Sequence, residues 1–311
     1  MVQRLLVLAF VCVFVLTACG GQPGAEPAAD DPSALGGEDN PIKMYFVPSA
    51  EAATVLESGD MIAAALHEST GLHFTTAVPT NYTAVIEALG SEQADVAWLS
   101  TFAYILAHEA NGTEVALTTL RRGEATYRGQ FIARADSGIE TIADCDGREM
   151  AYVDPVSTSG GIFPSAVFAA EGITPSNELY AGGHPQVVLA IYEGNADCGA
   201  TYWSPEGPDG TIADARATAL ETYPDVAEQV QIIGFTEDIP NDTVSFRAGF
   251  PEDLKQTLVD AIIAYSESDE GQAVLNDLYS ITGFKRAQNS DYDVVRDSLQ
   301  ALNVDAGEFL N

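Results

Sequence analysis

The sequence predicts an α/β protein of two lobes, each a mostly parallel sheet flanked by helices. Three observations lead there. From residue 41 onward, short apolar runs of strand length alternate with amphipathic runs of helix length, the pattern of a parallel sheet with helices outside it. The alternation lapses and begins again near residue 130. About 270 residues follow the N-terminal segment, more than a single core usually serves.

Taken in order, residues 42–47 form a short apolar strand. Residues 58–69 read as a helix stopped by Gly71, 73–78 as a strand, and 82–89 as a helix with Val85, Ile86 and Leu89 on one face. Residues 95–99 are a strand, and Ser100 or Thr101 caps a helix through His108. The second series has strands at 130–134 and 149–153, a turn at Asp136-Ser137-Gly138, a helix over 161–170 stopped by Gly172, a helix over 186–193 and a strand over 198–202. A strand at 243–248 and helices at 252–266 and 273–279 close the chain. There is no short internal repeat. The economical arrangement inserts one lobe within the other: 41–129 and 246–311 form lobe one, 130–245 form lobe two, and the crossings fall near 128–132 and 241–247.

The N-terminus carries its own signal. Arg4 precedes an apolar run of about a dozen residues, too short for a spanning helix of ~20, so residues 1–18 read as a signal peptide. Leu16-Thr17-Ala18-Cys19 resembles the bacterial lipobox, which implies cleavage before Cys19 and acylation of that cysteine. Residues 19–40, rich in Gly, Pro, Ala and acids with a lone Leu35, read as a lipidated flexible tether. The expected location is the outer side of the membrane, held there by lipid. In that oxidising compartment Cys145 and Cys198 are expected to form a disulfide; the alternative is two small buried residues that never meet.

The net charge is −33, from 46 acidic and 13 basic residues. Such a surface argues against nucleic-acid binding, which needs basic patches, and is consistent with adaptation to high salt. It does not argue against an anion ligand, because surface charge is screened beyond ~8 Å at physiological ionic strength.

The most informative segment is Asp154-Pro155-Val156-Ser157-Thr158-Ser159-Gly160-Gly161, between a strand and a helix. A helix start offers unpaired N–H groups and the positive end of its dipole. Three hydroxyls add neutral donors, and two glycines let an anion approach the backbone, so Ser157, Thr158 and Ser159 form a candidate oxyanion site. Pro164 in the first turn costs little. A plain helix cap needs only one serine. No G-x-x-x-x-G-K-[ST] occurs, so the segment is not a Walker loop.

Several runs together resemble the phosphonate/phosphite/phosphate-binding proteins of ABC transporters: Val47-Pro48-Ser49, NYTAVIEAL from Asn81, ADVAWL from Ala94, Ala103-Tyr104, ARADSGI from Ala133, the Ser-Thr-Ser-Gly segment, Gly182-Gly183-His184, and residues 292–296. The resemblance covers about 42–297 and implies a periplasmic-binding-protein type II fold. It further implies capture of a small phosphorus oxyanion by hinged lobe closure, an ABC permease as partner, a monomer, and no cofactor, metal or catalysis. Carried over residue by residue, it makes Tyr82 and Tyr104 phenolic donors from the first lobe, Ser157, Thr158 and Ser159 the oxyanion cradle, and His184 an imidazole donor. Asp242 becomes the acceptor of a proton carried by the ligand, which sulfate lacks. The chain departs from the aminoalkylphosphonate binders at Trp203-Ser204, where they place a carboxylate. That favours phosphite, phosphate or methylphosphonate, with Tyr202 or Trp203 filling the space.

Two other readings remain. An anion-sensing ectodomain would use the same pocket. A hydrolase could be written with Ser157 or Ser159, His184 and Asp197, but G-x-S-x-G is absent. His67, His73, His108 and His184 lack metal-ligand spacing. Asp95 and Asp197, at strand starts, read as structural, and the acids at 267–270 as a solvated face.

Overall fold

The computed structural model describes residues 33–207 and 210–301. The signal segment 1–18, Cys19 and the tether up to residue 32 lie outside the described residues.

The first series runs β1 (Ile42–Phe46), α1 (Ala52–Thr70), β2 (Phe74–Ala77), α2 (Tyr82–Gly90), β3 (Val96–Leu99), α3 (Thr101–Asn111) and β4 (Glu114–Leu120). The second has β5 (Thr126–Arg134), β6 (Glu149–Tyr152), α4 (Phe163–Glu171), β7 (Asn177–Tyr180), α5 (His184–Tyr192), β8 (Cys198–Trp203), α6 (Val226–Gln229) and β9 (Val230–Pro240). The chain then returns through β10 (Thr243–Phe246), α7 (Glu252–Ser266), α8 (Asp269–Tyr279), β11 (Gly283–Arg286) and α9 (Asp293–Ala301).

Two sheets result, ordered β11-β4-β10-β3-β1-β2 and β7-β6-β8-β5-β9. They are mixed rather than mostly parallel. Pairing is parallel where helices cross between strands, at β1 with β2 and β3 and at β6 with β7 and β8. It is antiparallel at β10 with β3 and β4, β11 with β4, and β5 with β8 and β9. The antiparallel members are the strands that carry the chain into and out of the second lobe, and the β11 edge.

The α/β expectation of two lobes holds. The chain changes sheet between Leu120 and Thr126 and again between Pro240 and Thr243. Residues 126–129 therefore pair in the second sheet and 243–245 in the first, a few residues outside the boundaries expected from sequence. Asn241 ties the two crossings together. It is fully buried; its N–H donates to Ala125 O at 2.9 Å, and its Nδ2 donates to Thr119 O at 3.1 Å and Glu124 O at 2.8 Å.

Helix α1 begins six residues earlier than its sequence suggests, because Ser58-Gly59 looks like a helix start. Gly59 is buried inside the helix, where an added Cβ would lie 2.7 Å from the Phe46 ring. The missing side chain lets α1 press onto β1. Residues 33–40, expected to belong to the tether, are folded onto the first lobe. Gly36 N–H donates to Asn40 O, His73 N–H donates to Gly36 O, both at 2.8 Å, and Leu35 packs on the core. Cys145 and Cys198, at the start of β8, form a disulfide within the second lobe. Among the described residues no helix is long and apolar enough to cross a membrane.

Candidate functional site

Strand β6 ends at Tyr152 and the chain turns through Asp154-Pro155-Val156 into the hydroxyl triplet. Thr158–Ile162 forms one wide π-helical turn that leads into α4. Ser157 caps it, its Oγ accepting from Gly160 N–H at 3.3 Å, and Asp154 Oδ1 accepts from Val156 N–H at 2.8 Å. The two glycines also have a packing role. A Cβ at Gly160 would lie 2.3 Å from Val153 Cγ2, and one at Gly161 would lie 2.1 Å from the Asp154 carbonyl oxygen. Their smallness lets the turn fold onto its own entry strand.

The triplet lines a cleft of about 120 Å³ between the lobes. Lobe one contributes Ser49 after β1, Tyr82 at the start of α2 and Ser100 at the start of α3. Asn81 caps α2 by accepting Ala84 N–H at 2.8 Å, which orients Tyr82 as the first helical residue. The Tyr82 phenol is held neutral well above its ordinary value by burial, then by Asp154, Tyr279 and Asp242, against an opposing pull from the Ser157 hydroxyl. Tyr127 on β5 likewise sits high through burial and Asp242, against the opposing pull of the Ser159 hydroxyl and Arg121.

His184 opens α5, with Pro185 beside it. Its Nδ1 lies 2.6 Å from Thr201 Oγ1, and its ring meets Tyr202 edge-on with centroids 4.9 Å apart. Burial, reinforced by the Arg121 charge, pushes the imidazole down to about 3, so it is neutral throughout the physiological range. Burial raises the Tyr202 phenol to about 12 against the pull of Arg121.

Sequence reasoning missed Arg121. This guanidinium lines the cavity and adds a charged donor to the hydroxyl and imidazole donors read from the sequence. Arg121 Nε donates to Tyr279 O at 2.9 Å, one terminal nitrogen donates to Asp242 Oδ2 at 2.6 Å, and the group lies over the Tyr127 ring at 5.3 Å. Desolvation opposes its charge, but Asp242 and Tyr127 outweigh that and hold its pKa above the ordinary value. Tyr279, also missed, ends α8 and donates to Val47 O at 2.6 Å. The signal for Arg121 was present: Arg121-Arg122-Gly123 is a turn flanked by strands in a chain with ten arginines. Arg122 and Gly123 both have positive φ, 54° and 81°, as a two-residue hairpin turn requires. Residues 114–120, which form β4, carry little strand signal of their own, so the turn lacks context in the sequence.

Of the expected residues, Tyr82, Ser157, Thr158, Ser159, His184, Tyr202 and Asp242 share the cavity. Tyr104 does not line it. One turn into α3, its hydroxyl donates to Asn289 Oδ1 at 2.8 Å and its ring packs on Tyr292, which ties the helix to the C-terminal segment. Trp203 also lies off the cavity, against Phe235 in a neighbouring groove, so Tyr202 alone of that pair faces the site.

The lobes touch across the cavity. Phe102 N–H donates to Thr158 Oγ1 at 2.9 Å, His184 N–H to Ser49 O at 3.2 Å, and Ser100 Oγ to Val156 O at 3.4 Å.

Residues 44–292 match the sequence family described as ABC transporter, phosphonate, periplasmic substrate-binding protein. The chain is 29% identical over 212 residues to the phosphate-import protein PhnD of Mycolicibacterium smegmatis, covering 62% of this chain and 64% of that protein. It is 26% identical over 206 residues to the phosphonates-binding periplasmic protein of Escherichia coli, covering 64% and 58%. It thus spans less than two thirds of the length of both relatives. The crystal structure of a binding protein component of an ABC phosphonate transporter from Pseudomonas aeruginosa superposes with a TM-score of 0.74 at 20% identity, covering 85% of this chain and 87% of that one. The type II binding-protein fold is common to both, and with the match over residues 44–292 the chain belongs to the family of periplasmic substrate-binding proteins of phosphonate ABC transporters.

Proposed function

We propose that this protein captures a small phosphorus oxyanion outside the cytoplasm and delivers it to an ABC permease without changing it chemically. The observation that carries the reading is the small cavity where the Ser157-Thr158-Ser159 turn, Tyr82, Tyr127, His184 and Arg121 meet between two lobes. About 120 Å³ is small beside the several hundred cubic ångströms of drug-sized sites, and the lining supplies hydroxyl and guanidinium donors suited to tetrahedral oxygens. The two relatives, one named for phosphate import and one for phosphonate binding, point to the same ligand class.

In this reading Thr201 donates to His184 Nδ1, which leaves the imidazole proton on Nε2 to donate to the anion. Arg121 supplies the compensating charge. Asp242 holds Arg121 through Oδ2 and offers Oδ1 to a P–OH proton, so phosphite, phosphate and methylphosphonate bind and sulfate does not. The lobes, 41–129 with 246–311 and 130–245 with edges adjusted to the sheet crossings, close on the ligand, and the contacts at Thr158 and His184 belong to the closed form. Cys19 anchors the protein to the membrane, and a Cys19→Ala variant is released from it.

Calorimetric titration against phosphite, phosphate, methylphosphonate, aminoethylphosphonate and sulfate tests the reading. One of the first three is expected to bind one to one, at least about a hundredfold tighter than sulfate, a difference of ~2.8 kcal/mol. Failure of all three, or equal binding of sulfate, overturns it.

A further inference from the structure

A groove of about 220 Å³ adjoins the cavity and shares Arg121 and Tyr127 with it. Arg122, Arg128 and Trp203 also line it, so three of the chain's ten arginines meet there in a protein of net charge −33. Their partners differ. Arg121 is engaged with Asp242. Arg128 pairs with Asp238 at 2.5 Å and lies over the Trp203 ring at 5.9 Å. Arg122 makes no ion pair among the described residues; its guanidinium donates to the Pro205 carbonyl. Glu124 and Asp238 are the carboxylates of the groove, and Asp238 is already taken.

A weakly hydrated guanidinium with spare donors suits a carboxylate or phosphate oxygen. The Trp203 ring, packed on Phe235 with centroids 5.2 Å apart, offers an apolar floor for a short carbon linker. A ligand ammonium group would meet Arg122 and Arg128 with like charge.

We propose that this groove is a second subsite, which takes the anionic tail of a two-ended ligand whose phosphorus oxyanion head fills the cavity and whose carboxylate or second phosphorus oxyanion reaches Arg122 and Arg128 across Trp203. The inference rests on the cavity being the oxyanion site. The head is fixed by the closed lobes and the tail crosses the boundary formed by Arg121 and Tyr127.

Calorimetry on the full chain with methylphosphonate, propylphosphonate, carboxyethylphosphonate, ethylenediphosphonate and aminopropylphosphonate tests it. The carboxylate and second-phosphonate arms distinguish the two tail chemistries. At least one is expected to bind about fivefold tighter than propylphosphonate, the size of a partly exposed charge pair, and aminopropylphosphonate to bind more weakly than propylphosphonate. The double variant Arg122→Asn, Arg128→Gln should erase the tail advantage and leave methylphosphonate affinity unchanged. Arg122→Asn alone, at an exposed turn where asparagine tolerates positive φ, should lose part of the advantage with an unchanged urea midpoint. If both anionic tails bind no tighter than propyl, or their advantage survives in the double variant, the second subsite is overturned. Should phosphite, phosphate and methylphosphonate all fail to bind, the reading of the cavity falls with the subsite; should any of them bind while no tail preference exists, the subsite alone falls.

Discussion

Arg121 joins three functions in one side chain: it touches the cavity, grips Asp242, and reaches the end of α8 through Tyr279 O. Replacing it with glutamine leaves Asp242 without its partner. Because that carboxylate is about 20% exposed, the expected loss is about 1–2 kcal/mol of stability, below the cost of breaking a fully buried pair, read as a lower urea midpoint. Oxyanion affinity should fall at least about tenfold by calorimetry, and Arg121→Lys should restore little, since a single ammonium cannot make the forked contacts. His184 gives a pH signature. Its folded pKa, about 3, lies below the usual value of 6.5, so the unfolded chain binds the extra proton between those limits. The stability it contributes is complete above about pH 6.5 and is lost progressively as pH falls toward about 3. His184→Gln should therefore lose less thermal stability than the parent between about pH 7 and about pH 4. At this scale the hydroxyl triplet and His184 were legible because their residue types are unusual in their places. Tyr104 falls outside the cavity lining because a motif names a residue without saying which way its helix faces.

The turn from β6 into α4 is specified by absence of side chains. Gly161→Ala would drive a Cβ against a backbone carbonyl that cannot move aside, whereas Gly160→Ala meets the Val153 side chain. Both should destabilise, by roughly 1–3 kcal/mol as overpacking does, with Gly161→Ala the more severe in urea denaturation. The disulfide acts on a different element pair. It closes a separation of 53 residues inside the second lobe, so its removal by Cys145→Ala with Cys198→Ala should cost on the order of 3–4 kcal/mol. Ligand affinity in the folded protein should be nearly unchanged, because neither sulfur lines the cavity. The elements legible in the sequence were those with their own apolar period, such as α2, β3 and α7. Those it hid draw their identity from partners. Strand β7, with all four residues exposed, exists through its parallel pairing to β6. Strand β9 has two register shifts against β5 and a glycine at 234, packed on Ile142, so no clean alternation survives in it.

As a whole, the molecule combines a strongly acidic exterior with an interior site of compensated charge. Self-repulsion from a net charge of −33 is relieved by screening, so the thermal midpoint should rise from low to molar salt, and an unchanged midpoint would remove the saline reading of the composition. The salt-dependent gain should be the same with and without methylphosphonate if the cavity is insulated from the surface. The mechanical character of the molecule follows from Asn241. Its amide clamps residues 119 and 124 while its own backbone binds residue 125, and only two residues separate β9 from β10. Such a splice has no slack to pay out. If the lobes close as proposed, this splice favours a pivot over a glide, and the two walls would meet along a path fixed by the crossings.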